Sequence, residues 1–152
     1  MADAPLKERL HTDLTAAMKA RDTVRLATIR MVLTAVHADE VAGTTARELS
    51  DDEVLVVVGR EAKKRKEAAG AYDDAGRPEL AERERAELVV LEGYLPQQLS
   101  DDEIAEVVGE ALTAGGFSSK AQMGPAMKAA QAAVAGRAEG GRVAAEVRRR
   151  LN

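Results

Sequence analysis

Apolar residues recur along this chain at spacings of three and four, the period of helices that each bury one face. Leu6, Leu10, Leu14, Ala17 and Met18 stripe a first helix ending around Lys19 to Arg21. Asp22 is placed to cap a second, with Leu26, Ile29, Leu33 and Val36 on its buried face and Arg30, Thr34 and His37 on a more polar side. A loop follows at Gly43 to Ala46. Ser50 and Glu53 then form a capping box, in which serine and glutamate satisfy each other's backbone N–H groups. This cap decides the run Val54 to Val58, strand-like by composition, in favour of a helix. The helix continues through Glu61/Arg65 and Lys63/Glu67 pairs spaced i,i+4 and stops at Gly76. Pro78, tolerated in a first turn, opens the next helix, so the two make a hairpin.

Residues 86 to 104 end one helix, build a joint and start another. Leu88, Leu91 and Leu95 share a face; Pro96 opposes continuation, so the helix stops near Tyr94. Ser100 with Glu103 repeats the capping box, and Ile104, Val107, Val108, Ala111 and Leu112 carry the next amphipathic stripe. The two SDDE segments are one helix-start chemistry used twice, since their similarity fades after Ala62 and Ala111. Ser119 with Gln122 offers a third cap before the stripe Met123, Met127, Ala130 and Val134, where Pro125 requires either a kink or a start near Gly124. A glycine-rich turn, Gly136 to Gly141, leads to a last helix with Val143, Val147 and Leu151 on one face. The expectation is an all-α chain of about seven helices: an N-terminal four-helix domain over residues 1–96 and a C-terminal three-helix tail domain over 97–152.

Composition narrows the chemistry. With 45% hydrophobic residues and only Tyr72, Tyr94 and Phe117 as aromatics, the core is aliphatic and rich in alanine, and base stacking on aromatic platforms has little to work with. The chain has no cysteine and two histidines, which excludes disulfides, thiol catalysis and Cys/His zinc sites. Its first residues lack an apolar signal region and no window is long enough to span a membrane, so a cytoplasmic location is expected. No catalytic constellation, metal site or cofactor motif is found. The paired carboxylates Asp51-Asp52, Asp73-Asp74 and Asp101-Asp102 stand at helix ends, where a helix dipole or turn explains them.

The net charge of −4 hides an uneven distribution: from Ser118 to Asn152 seven basic residues face two acidic ones, leaving +5 there and −9 before it. A basic tail on an acidic body suits a polyanionic partner; a solvated charged surface is the plainer alternative. On a helix wheel Lys120, Gly124, Lys128 and Gln131 share one sector, so two lysines flank a glycine where a phosphate can approach the backbone. Arg137 follows in a glycine-rich turn leading into a helix N-terminus, an arrangement suited to anions. Arg148 to Arg150 read better as cations favoured in a last helical turn. The cluster Arg60, Lys63, Lys64, Arg65 and Lys66 reads as paired across the hairpin to Glu87 and Glu92, or as a solvated ridge.

The joint LEGYLPQQLSDDEI, the turn YDDAGRPEL, the helix RLATIRMVL and the tail segments QMGPAMKAA and GRAEGGRV together resemble the GatB/YqeY family over almost the whole chain. That family comprises small stand-alone proteins and the C-terminal region of the B subunit of glutamine-dependent aspartyl/glutamyl-tRNA amidotransferase. The resemblance implies a multihelical fold whose tail holds tRNA, with Met123, Gly124, Lys128, Gly136, Arg137, Gly140 and Arg142 matching the tail motif. Pro125 departs from a position that is often basic or polar in the family. The catalytic cradle is absent, so a label of carbon-nitrogen ligase with glutamine as amide donor describes an association, not a reaction of this chain. The implied function is a non-catalytic accessory binding tRNA or another structured RNA through Lys120, Gly124, Lys128, Gly136, Arg137, Gly140 and Arg142. The alternative is an adaptor that docks an amidotransferase or another translation enzyme.

Overall fold

A computed structural model describes residues 5–152, in which seven α-helices form and no strand is present among the described residues. The chain divides into two compact units, Met1–Leu95 and Pro96–Asn152. The first holds α1 (Leu6–Ala20), α2 (Thr23–Glu40), α3 (Asp51–Asp74) and α4 (Pro78–Glu92). In the second, α5 (Asp101–Gly115) is followed by a short 3-10 turn at Lys120–Gln122, then α6 (Met123–Val134) and α7 (Gly140–Arg150).

In the first unit the helix ends follow the local chemistry of the chain. Asp22 Oδ1 accepts from the Arg25 N–H at 3.1 Å and caps α2. Ser50 and Glu53 make both arms of the capping box on α3, and the neighbouring Asp51 Oδ1 accepts from the Leu6 N–H at 3.0 Å, capping α1. Gly76 closes α3 from the left-handed region, which a residue without a Cβ enters at no steric cost. Its N–H donates to Asp73 O, and the Arg77 N–H reaches back to Tyr72 O at 2.8 Å. Pro78 is then the first residue of α4, and the hairpin forms as expected. Leu10, Ile29, Val32, Val36, Val54, Val57, Val58 and Leu91 fill the core from all four helices. Buried Glu40 ties α1 to the connection before α3, accepting from Lys7 Nζ at 2.8 Å and from the Leu49 N–H at 3.0 Å.

The inward face of α2 differs from the expected one. Ile29, Val32 and Val36 are buried, whereas Leu26 and Leu33 sit at its margins. Met18, placed on the stripe of α1 by spacing, is 52% exposed. Both differences have one cause: these helices carry apolar residues on more than one side, so spacing alone leaves a choice that packing against the other helices makes.

In the second unit Ile104, Val108, Leu112, Ala126, Ala130, Val134, Val143 and Val147 form a separate core shared by α5, α6 and α7. The Ser100/Glu103 box starts α5, and Gly116, left-handed like Gly76, ends it. The Phe117 N–H donates to Leu112 O at 2.9 Å. The Phe117 ring lies against Gly115, where a Cβ would collide with it. Lys120, which the wheel placed on the same helix as Lys128, lies instead in the 3-10 turn, because Gln122 Oε1 is taken by the N–H groups of Ser118 and Ser119 at 2.9 and 3.2 Å. Helix α6 therefore starts at Met123 and runs unbroken to Val134. Pro125 is its third residue, where the missing N–H has no helical partner to lose.

Candidate nucleic-acid interface

The second unit contains seven basic and seven acidic residues, but they are segregated. Five of the acids, Asp101, Asp102, Glu103, Glu106 and Glu110, lie on α5, which has no basic residue. Between Glu110 and Glu139 there is no acidic residue at all. The unit is thus segregated by charge, with a carboxylate-bearing helix packed against α6 and α7, which with the turns beside them hold all seven cations.

Lys120 lies in the 3-10 turn, and Gly124 and Lys128 lie on α6. All three are open to solvent, and neither lysine makes an ion pair among the described residues. Gly124 is the second residue of α6, and a Cβ added there would meet nothing within 4 Å, so backbone is accessible at the positive end of the helix dipole. A pair of backbone bonds extends this region: Lys120 N–H donates to Asn152 O at 2.9 Å and Asn152 N–H to Ser118 O at 3.1 Å. They bring Lys120 beside the C-terminal end of α7, where Arg148 is exposed and unpaired among the described residues. Sequence reasoning gave Arg148 no part in the site; the backbone bonds of Asn152 that bring the end of α7 to this region cannot be read from the chain.

The glycine-rich turn is occupied differently. Arg137 is half-buried and folds back on the end of α6, donating from Nε to Val134 O at 2.9 Å and from Nη2 to Ala133 O at 3.0 Å. It acts there as a cationic cap on unsatisfied carbonyls. Its own carbonyl accepts from the Leu99 N–H at 2.7 Å, and Gly136 O from Gln98 Nε2 at 3.3 Å. Gly136 follows Ala135, and both stand in the left-handed region, so two successive residues of that hand reverse the chain. Gly140 opens α7 and its carbonyl accepts from Gln131 Nε2 at 3.4 Å. Glu139 precedes it at the cap position and sets a carboxylate beside that helix start, which opposes an anion there. Arg142 is exposed but ion-paired to Asp101 across to α5. Arg149 and Arg150 both engage Glu146, at 2.6 and 2.7 Å, and hold its carboxyl below the usual carboxylate range; Arg150 Nη2 also caps Ala105 O at 2.9 Å.

The basic cluster of the first unit is largely neutralised. Arg65 is buried and bridges Glu61 at 2.9 Å and Glu87 at 3.3 Å, the latter across the hairpin. Arg60 reaches Asp39 on α2 at 2.9 Å, and Lys64 lies 3.5 Å from Glu61. Among the described residues, no three His, Asp or Glu side chains gather so as to hold a metal ion. No helix among them is long and apolar enough to cross a membrane.

A fungal relative from Pyrenophora tritici-repentis, named altered inheritance of mitochondria protein 41, mitochondrial, is 31% identical over 134 residues. That alignment covers 86% of this chain and 71% of the relative. Residues 7–151 match the family described as Yqey-like protein. With the match running through both helical units, from the first turn of α1 to the residue after α7, the chain belongs to the Yqey-like protein family.

Proposed function

We propose that this protein is a helical RNA-binding accessory of translation, and that its second unit grips the phosphate backbone of a folded RNA, tRNA being the expected class. The observation that carries the reading is the group Lys120, Gly124 and Lys128: two exposed lysines without acidic partners on either side of accessible backbone at a helix start. Arg148, in the last turn of α7, is a further exposed cation of the unit, and five of the unit's seven acids are held on α5. Lysines of this kind position a polyanion by charge and shape without reading bases, which suits a chain with three aromatic residues. Arg137 and Arg142 have a supporting part in this reading, the first shaping the turn and the second tying α7 to α5.

The test is charge reversal of both lysines, Lys120→Glu with Lys128→Glu, in the full chain. Each phosphate contact contributes roughly 0.7 to 0.9 to the slope of log affinity against log salt. The double variant is expected to bind tRNA at least about tenfold more weakly at low salt and to lose roughly 1.5 of that slope. Unchanged affinity and slope, with helical content preserved by circular dichroism, would remove the proposed site.

A further inference from the structure

Helix α2 carries a second apolar stripe on the side away from the core. Val24, Ala27, Met31, Thr34, Ala38 and Val41, the last just past the helix end, follow at intervals of three, four, three, four and three, and all six are exposed. Val24, Met31 and Val41 are among the large hydrophobic side chains most open to solvent, at 37%, 47% and 50%. No charged residue interrupts the stripe, and Arg65 Nη2 lies 3.1 Å from Met31 Sδ, holding that side chain in place. Alternation of three and four is the spacing of a coiled-coil seam, which is covered by another helix and not by a globular surface.

The order of residues identifies the partner. Read backwards the stripe is Val, Ala, Thr, Met, Ala, Val, so it is complementary to itself about a point between Val32 and Leu33. Two copies of α2 laid antiparallel set Val24 against the partner's Val41, Ala27 against the partner's Ala38, and Met31 against the partner's Thr34. Large meets small at the centre, and the alanine pairs let the backbones approach. On the flank nearer the core Thr28 is buried and Ala35 half-buried, so no charge borders the seam there; on the other edge, Thr23, Arg30 and His37 bring Arg30 beside the partner's His37, with no carboxylates set against each other. Antiparallel helix dipoles also attract. Self-complementarity of one patch is what a two-fold dimer requires and what a foreign partner does not. We infer that the outer face of α2 is the interface of an antiparallel homodimer of this protein.

A seam one helix long lies at the low end of interface sizes, below about 1,200 Å², so the dimer is expected to be reversible and visible toward millimolar concentration, about 10⁻³ M. The chain has no cysteine, which makes cross-linking unambiguous. Val24→Cys mixed with Val41→Cys is expected to give disulfide-linked heterodimers, while each variant alone gives none. Within the antiparallel pair like positions lie about 26 Å apart along the axis, far beyond the roughly 7 Å Cα separation a disulfide spans. Ala38→Glu, on an exposed helical position, is expected to keep the far-ultraviolet spectrum and abolish association in sedimentation velocity. A wild-type chain monomeric at every concentration, cross-linking of either single variant with itself, or a dimer untouched by Ala38→Glu would each overturn the inference.

Discussion

Replacing Arg65 by alanine is expected to destabilise the first unit by about 3 kcal/mol, several times the effect of removing any exposed cation of the same helix. Arg65 is only 5% exposed, and its guanidinium serves two helices, with Nη1 2.9 Å from Glu61 on α3 and Nε 3.3 Å from Glu87 on α4. Deleting one member of a buried ion pair generally costs about 3–5 kcal/mol, because the remaining charge stays desolvated without compensation. Here the lower end applies, since Lys64 remains 3.5 Å from Glu61 and Glu87 lies nearer the surface. Urea denaturation measures the loss directly: with a slope of about 1–3 kcal/mol/M, the midpoint falls by roughly 1–3 M at unchanged slope. A companion variant separates charge from packing. Arg65→Met combined with Glu61→Gln and Glu87→Gln removes all three charges at similar volume and is expected to recover most of the loss. A cost below about 1 kcal/mol for Arg65→Ala, the range of surface ion pairs, would refute the buried-bridge reasoning.

Two further outcomes follow from the same unit. The Arg47 guanidinium and the backbone N–H of Ser50 hold the Glu53 carboxyl down from an ordinary 4.5 to about 2. Because the folded value is the lower one, the contribution of this cap is complete above about pH 4.5 and disappears as pH falls through 2; carboxyl chemical shifts should titrate near 2, and Arg47→Ala should move the midpoint upward. Burial, reinforced by the hydrogen bond to Asp13, pushes the Tyr94 phenol up to about 12. Its stabilisation is present below the ordinary value of 10 and lost as pH rises through 12, so ultraviolet titration should show one tyrosine ionising late, and Tyr94→Phe should cost about 1 kcal/mol in urea denaturation.

Much of the fold was legible because its punctuation is local. Ser50 and Ser100 with their glutamates, Gly76 past a helix end, and Pro78 in a first turn each act through bonds within five residues, and spacing alone finds them. The inner face of α2 was not, since a helix apolar on two sides has two faces that fit the same period; only packing chooses Ile29, Val32 and Val36. For the candidate site the division is similar. The charge segregation, the accessible glycine and the two lysines could be read from the chain. The conformation of Arg137 could not, because its carbonyl partners become available only when α6 ends at Val134, and neither could the approach of Lys120 to α7, which depends on backbone bonds to Asn152.

The central claim is that the second unit recognises folded RNA through phosphate contacts. Its most direct test is titration of the full chain against tRNA and against an unstructured RNA of equal length, at low and near-physiological salt. Preferential binding of tRNA, weakening steeply with salt and suppressed by Lys120→Glu with Lys128→Glu, is the predicted result. Equal affinity for the two RNAs, or no binding to either at low salt, would contradict it.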